Sequence, residues 1–200
     1  MPKKGAKNLE ISLLFALCAA LCAGTWANAR QSSISGGLLR LHVVAASDDE
    51  YEQALKLRVR DRVLSYLQPK LENIETSAES RELIRKELRG IARAAEEAAE
   101  GRPVTVSLGR EFFPTKSYGD FALPAGEYES LRVILGEGKG HNWWCVVFPP
   151  LCTDTVSSGK LQSVMNSTDY KIVTEEDGYD LRFRTLEIWG ELKKLMHNAE

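Results

Sequence analysis

The sequence is short of most of what specialised protein classes need. Cysteine is scarce, with 4 in 200 residues, which excludes a small scaffold stapled by several disulfides. Proline (7) and glycine (15) are too few for a collagenous or low-complexity chain. Basic side chains do not outnumber acidic ones, 26 against 28, and the formal charge of -2 argues against a strongly basic nucleic-acid binder. No serine nucleophile elbow, His-Glu-x-x-His pair, Walker loop or EF-hand loop occurs. What remains, at 44% apolar and 27% charged, is one ordinary globular domain with no room for a multi-domain machine.

The first residues differ from the rest. Lys3, Lys4 and Lys7 precede an uncharged run, Ile11 to Gly24, which is the arrangement of a secretory signal. Ala27, Asn28 and Ala29 supply the small-x-small pattern of a cleavage site, so residues 1–29 are expected to be removed between Ala29 and Arg30. An uncleaved anchor is the alternative, but the run is shorter than the roughly 20 apolar residues that cross a hydrocarbon core. Leu17 and Leu21 before Cys18 and Cys22 disfavour a lipid anchor. Cleavage would leave Cys145 and Cys152, and an isolated pair in an exported chain reads as one disulfide, with a buried free thiol or a nucleophile as the alternatives.

Periodicity predicts an α+β fold: a single domain with a mainly antiparallel sheet packed by two N-terminal helices and a C-terminal helix. After a linker at residues 30–37, Leu39, Leu41, Val43 and Ala45 alternate as a strand. Ser47 and Glu50 have capping-box spacing for a first helix that stops near Pro69, with Leu55, Val59, Val63 and Leu67 on one face. Thr76 and Glu79 open a second, whose stripe of Ile84, Leu88, Ile91 and Ala95 ends before Gly101. The period then becomes two at Val104, Val106 and Leu108, with 111–115 beyond Gly109 as a candidate hairpin partner and 131–135 as a further strand. The unbroken apolar run 143–148 predicts a central strand buried on both faces. The core domain is placed at 38–152, an exposed loop at 153–178, and a C-terminal helix at 179–200.

Few residue groups suggest chemistry. His141 lies four residues before Cys145, but a catalytic thiolate wants an electropositive, open setting, and Cys145 sits inside an apolar run. Two cysteines and His141 match no zinc spacing, so no metal and no cofactor is expected. Gly136, Gly138 and Gly140 lead into a strand, whereas phosphate-cradling glycines lead into a helix, and a flexible hairpin connection is the plainer reading. Trp143 and Trp144 point to opposite faces of a strand, one available as a partner anchor unless both faces are covered. Asp48, Asp49 and Glu50 are explained by capping and the helix dipole, and Lys56, Arg58, Arg60 and Arg62 by a solvated face.

Two stretches go beyond generic patterning: residues 39–61, LRLHVVAASDDEYEQALKLRVRD, and residues 113–152, which close on GEGKGHNWWCVVFPPLC. Together they resemble the stage II sporulation protein R family, with Ala46 standing where asparagine is expected. The resemblance implies a signalling protein made in the forespore and exported into the space between the two membranes that separate it from the mother cell. It also implies a partner, the membrane-embedded aspartic peptidase that processes the sigma-E precursor, and no catalysis by the chain itself. Gly136, Gly138, Lys139, Gly140, His141, Asn142, Trp143 and Trp144 are then the candidate partner-binding residues, with the Cys145–Cys152 bridge stiffening the turn behind them. No nucleic acid or small-molecule substrate is expected. An extracytoplasmic cysteine-dependent enzyme and a cell-wall-binding scaffold are the alternatives.

Overall fold

A computed structural model describes residues 3–152 and 158–174. Its centre is a four-stranded sheet in the order β2-β5-β1-β6. Strand β1 (Leu39–Val44) runs parallel to β5 (Gly126–Leu135) and antiparallel to β6 (Asn142–Phe148), and β5 runs antiparallel to β2 (Val104–Phe113). Two of the three pairings are thus antiparallel, and the mixed α+β class expected from the sequence holds.

One face of the sheet carries α2 (Glu50–Leu71) and α3 (Ser77–Ala98). Leu55, Val59, Val63 and Leu67 from α2 and Ile84, Ile91 and Ala95 from α3 are fully buried against Leu41, Val43, Leu131 and Val133. This is the stripe that helical periodicity marks, and completely burying each large aliphatic side chain is worth about 1.5–3 kcal/mol. Thr76 caps α3 by accepting the Glu79 backbone N–H, as its spacing predicts. The cap of α2 differs: the N-cap is Asp49, not Ser47, whose hydroxyl is turned to the Asp49 backbone and carboxylate. Pro69 lies inside the last turn of α2, which ends at Leu71, close to the stop expected from the sequence.

The opposite face is covered as well, which the sequence did not reveal. A second apolar cluster gathers Ile34, Leu38, Phe113, Tyr128, Val146, Leu161 and Val173. Its cover comes from the end of α1 (Lys3–Gly36), the small hairpin of β3 (Lys116–Tyr118) and β4 (Phe121–Leu123), α4 (Gly159–Gln162) and α5 (Ser167–Thr174). Residues 30–37 are not a linker: α1 continues to Gly36, Ile34 is fully buried, and Arg30 and Ser33 hold the buried Asp169. Residues 158–174 are not an exposed loop, because Leu161, Ile172 and Val173 pack into this cluster; their apolar positions are too few and widely spaced to show a period.

The strand assignments also shift. Gly109 is no turn, since β2 runs unbroken through it, and the hairpin lies further on at 116–123. Strand β6 is an edge strand, not a central one; residues 145–148 are buried because both faces of the sheet are covered. Its outer edge is blunted by the following turn, where Leu151 N–H donates to the Val146 carbonyl at 3.2 Å. The C-terminal helix expected at 179–200 lies outside the described residues.

Candidate functional site

The glycine loop between β5 and β6 is clamped, not a free hairpin connection. Lys139 and Gly140 donate their backbone N–H groups to the carbonyls of Ala46 and Ala45, at 3.2 and 3.0 Å. The His141 backbone N–H donates to Asp48 Oδ1 at 2.6 Å, and its imidazole meets the same carboxylate. Lys56 reaches up from α2 to the His141 carbonyl at 2.9 Å, steadied by Gln53, which itself bonds the Ser47 carbonyl. Such close approach explains Gly140: a methyl group there would stand 2.1 Å from the Ser47 carbonyl oxygen. Gly138 has φ +64°, a left-handed conformation that suits glycine.

Electrostatics reinforce the clamp. Desolvation acts to raise the Asp48 carboxyl, but hydrogen bonds from the His141 backbone and imidazole, with the charge of Lys56, win and lower its pKa. Burial pushes the Lys56 ammonium down, and Asp48 only partly offsets this. The consecutive acids at the start of α2 thus do more than cap a helix: Asp48 reaches a loop 93 residues away. No local pattern announces a contact of that range.

The two tryptophans part ways at the start of β6. Trp143 is 37% exposed, and outside α1 only it and Tyr51 are exposed large hydrophobics among the described residues. The Arg60 guanidinium lies 4.4 Å from the centre of its ring. Trp144 points to the other face, half-buried beside His42 and Phe113, with the Lys116 ammonium 4.9 Å from its ring. One tryptophan is therefore presented and the other is structural. The basic residues of α2, expected as one solvated face, are dispersed: Lys56 is buried, Arg60 covers Trp143, and Arg58 and Arg62 pair with Glu100 and Glu97.

Cys145 and Cys152 form a disulfide that spans the turn after β6, so neither sulfur is a free thiolate. Among the described residues no group of three or more His, Cys, Asp or Glu could hold a metal ion. A buried polar cluster that no local sequence pattern marks lies under the β3–β4 hairpin. Arg40 is fully buried, bonded to the Tyr118 hydroxyl and stacked 4.0 Å from Phe113 and 4.8 Å from Tyr128. Burial pushes the Tyr128 hydroxyl pKa above its ordinary value, against the pull of Arg40, and it donates to the Pro124 carbonyl at 2.7 Å. Aromatic faces thus take the place of a carboxylate partner for this guanidinium.

At the N-terminus, α1 is long and apolar enough to cross a membrane by length and composition, which also fits a signal peptide. Leu9 to Leu21 are exposed, whereas Ala27 of the expected cleavage motif is buried and Ala29 exposed. An apolar leader helix and a disulfide are features of an extracytoplasmic chain.

What the domain defines, then, is a mixed sheet covered on both faces, presenting a clamped loop and one tryptophan and showing no catalytic constellation among the described residues. The family model for stage II sporulation protein R matches residues 35–158, and the chain belongs to that family. It is similar to the stage II sporulation protein R of Bacillus subtilis (strain 168), 40% identical over 126 residues, which cover 61% of this chain. The chain spans little more than half of that relative, 56% of its length. No solved structure matches.

Proposed function

We propose that this protein is an exported signal of sporulation: it is made in the forespore and acts in the space between forespore and mother cell. There it activates the membrane-embedded aspartic peptidase that processes the sigma-E precursor. It acts as a ligand and not as an enzyme. The observation that carries the reading is the clamped loop at 136–142 with Trp143 exposed beside it, inside the segment that the family model covers. A loop already fixed by Ala45, Ala46 and Asp48 loses little freedom on docking, and large aromatics are favoured at the centres of interfaces. Binding must favour the active state of the peptidase, because equal affinity for both states shifts nothing.

The test is reconstitution in a host that does not sporulate. The chain is co-expressed with the peptidase and the sigma-E precursor, with and without residues 1–29, and the precursor is followed on a blot. Cleavage that requires the leader is the expected result. No cleavage despite confirmed export would overturn the proposal. A wall-binding scaffold would instead sediment with purified peptidoglycan and leave the precursor intact.

A further inference from the structure

The Phe148 end of β6 carries a feature that the loop at its Asn142 end does not explain. A groove of about 910 Å³ opens between the end of α2 and the turn closed by the Cys145–Cys152 bridge. Leu71 and Phe148 are buried at its floor, Ile74 and Val164 are partly buried beside them, and the Pro149–Pro150 turn forms one bank. The opposite bank holds Glu72 and Glu75, both exposed, and neither carboxylate has an ion-pair partner among the described residues. Lys160, the one cation of the lining, donates to the Pro150 carbonyl at 3.3 Å on the far side.

From this pairing of an apolar floor with carboxylates that no described cation pairs we infer a second docking surface, which takes an extended segment of the membrane partner whose apolar side chain is flanked by lysine or arginine. The charge of the rim selects the occupant. An apolar side chain alone would fill the floor and leave Glu72 and Glu75 partly desolvated and unpaired, whereas a flanking cation pairs them. The volume lies within the range of small-ligand and side-chain pockets. It also gives the disulfide a task, since Cys152 and Pro150 together with Leu64 and Leu67 line a smaller apolar recess next to the groove. A bridge that fixes the turn fixes the wall of the site. A seven-residue strand separates the two docking surfaces, a span of about 20 Å, so one partner can reach both.

Only the identity of the partner rests on the function proposed above, and the experiment keeps the two apart. The purified exported protein is titrated with acetyl-KLFLK-amide and with acetyl-ELFLE-amide while backbone amide resonances are followed. The basic peptide is expected to shift Leu71, Ile74 and Val164 and to bind at least about tenfold more tightly than the acidic one. In E72K/E75K, whose exposed side chains can change without disturbing the core, that preference is expected to reverse. Equal binding of the two peptides, no binding, or shifts confined to other surfaces would overturn the groove. In the reconstitution, E72K/E75K is expected to lower precursor cleavage several-fold. Full cleavage with this variant would remove the groove from the interface while leaving the activator reading intact. A wild-type chain that triggers no cleavage but prefers the basic peptide would remove that reading and leave the groove standing.

Discussion

His42 on β1 reaches across the intervening strand β5 to Glu111 on β2, with Nδ1 3.0 Å from Oε2. Its Nε2 lies 2.8 Å from Asn142 Oδ1, so one imidazole joins three strands just beneath the glycine loop. Burial acts to raise the Glu111 carboxyl, but the His42 contact, the neighbouring Ser130 hydroxyl and the charge of Arg132 outweigh it, and its pKa is lowered.

That lowering fixes the sign of a pH dependence. A carboxylate with a folded pKa below its unfolded value stabilises the fold above the ordinary carboxylate range, and the contribution disappears as pH falls through the folded pKa. Glu111→Gln is therefore expected to destabilise the protein by about 1–3 kcal/mol near neutral pH. The gap between wild type and variant should narrow steadily below the ordinary carboxylate range. Thermal melts of both proteins across pH 3 to 5 would show it, and a gap that widens as pH falls through that range would reverse the assignment.

The loop clamp makes Gly140 sensitive. Gly140→Ala places a methyl against the Ser47 carbonyl, 2.1 Å away, and the backbone must shift. A loss of about 1–3 kcal/mol is expected, as for other forced overpacking, together with impaired activation of the peptidase. Gly109→Ala is the control, since nothing lies within 4 Å of a methyl there. Equal melting temperatures for the two variants would refute the clamp.

The bridge can be tested apart from function. Cys145 and Cys152 are seven positions apart, and closing so short a loop restricts the unfolded chain by about 2–3 kcal/mol. Replacing both by alanine should cost that much and make the melt insensitive to reductant. Labelling the exported wild type with a thiol reagent, after denaturation without reduction, should leave both sulfurs unmodified.

The tryptophans should separate stability from activity. Trp143→Ala removes an exposed ring and one cation–π contact, a loss below about 1 kcal/mol, yet is expected to reduce precursor cleavage strongly. Trp144→Ala empties a half-buried site beside His42 and Phe113 and should cost up to about 3 kcal/mol. Circular dichroism melts beside the blot readout would distinguish them, and full activation by Trp143→Ala would exclude the anchor role.

Much of this protein was legible in its sequence. The stripes on α2 and α3 and the alternation of Leu39, Leu41 and Val43 named the first core residue by residue, because 3.6 and 2.0 periods translate directly into a buried face. The pairing of Cys145 with Cys152 followed from composition and order, and the motif around residues 136–152 marked the family. Tertiary structure alone decided the remainder. Strand order made β6 an edge, and a second apolar layer, assembled from Ile34, Phe113, Leu161 and Val173, turned a supposed linker and loop into core. Those residues lie far apart in the chain and share no period. The same holds for the site: Asp48, Lys56 and Arg60 lie on or just before α2, and only the packing of that helix against the sheet brings them to His141 and Trp143. Local sequence carries local geometry, whereas a contact spanning 93 residues depends on every element folded between them.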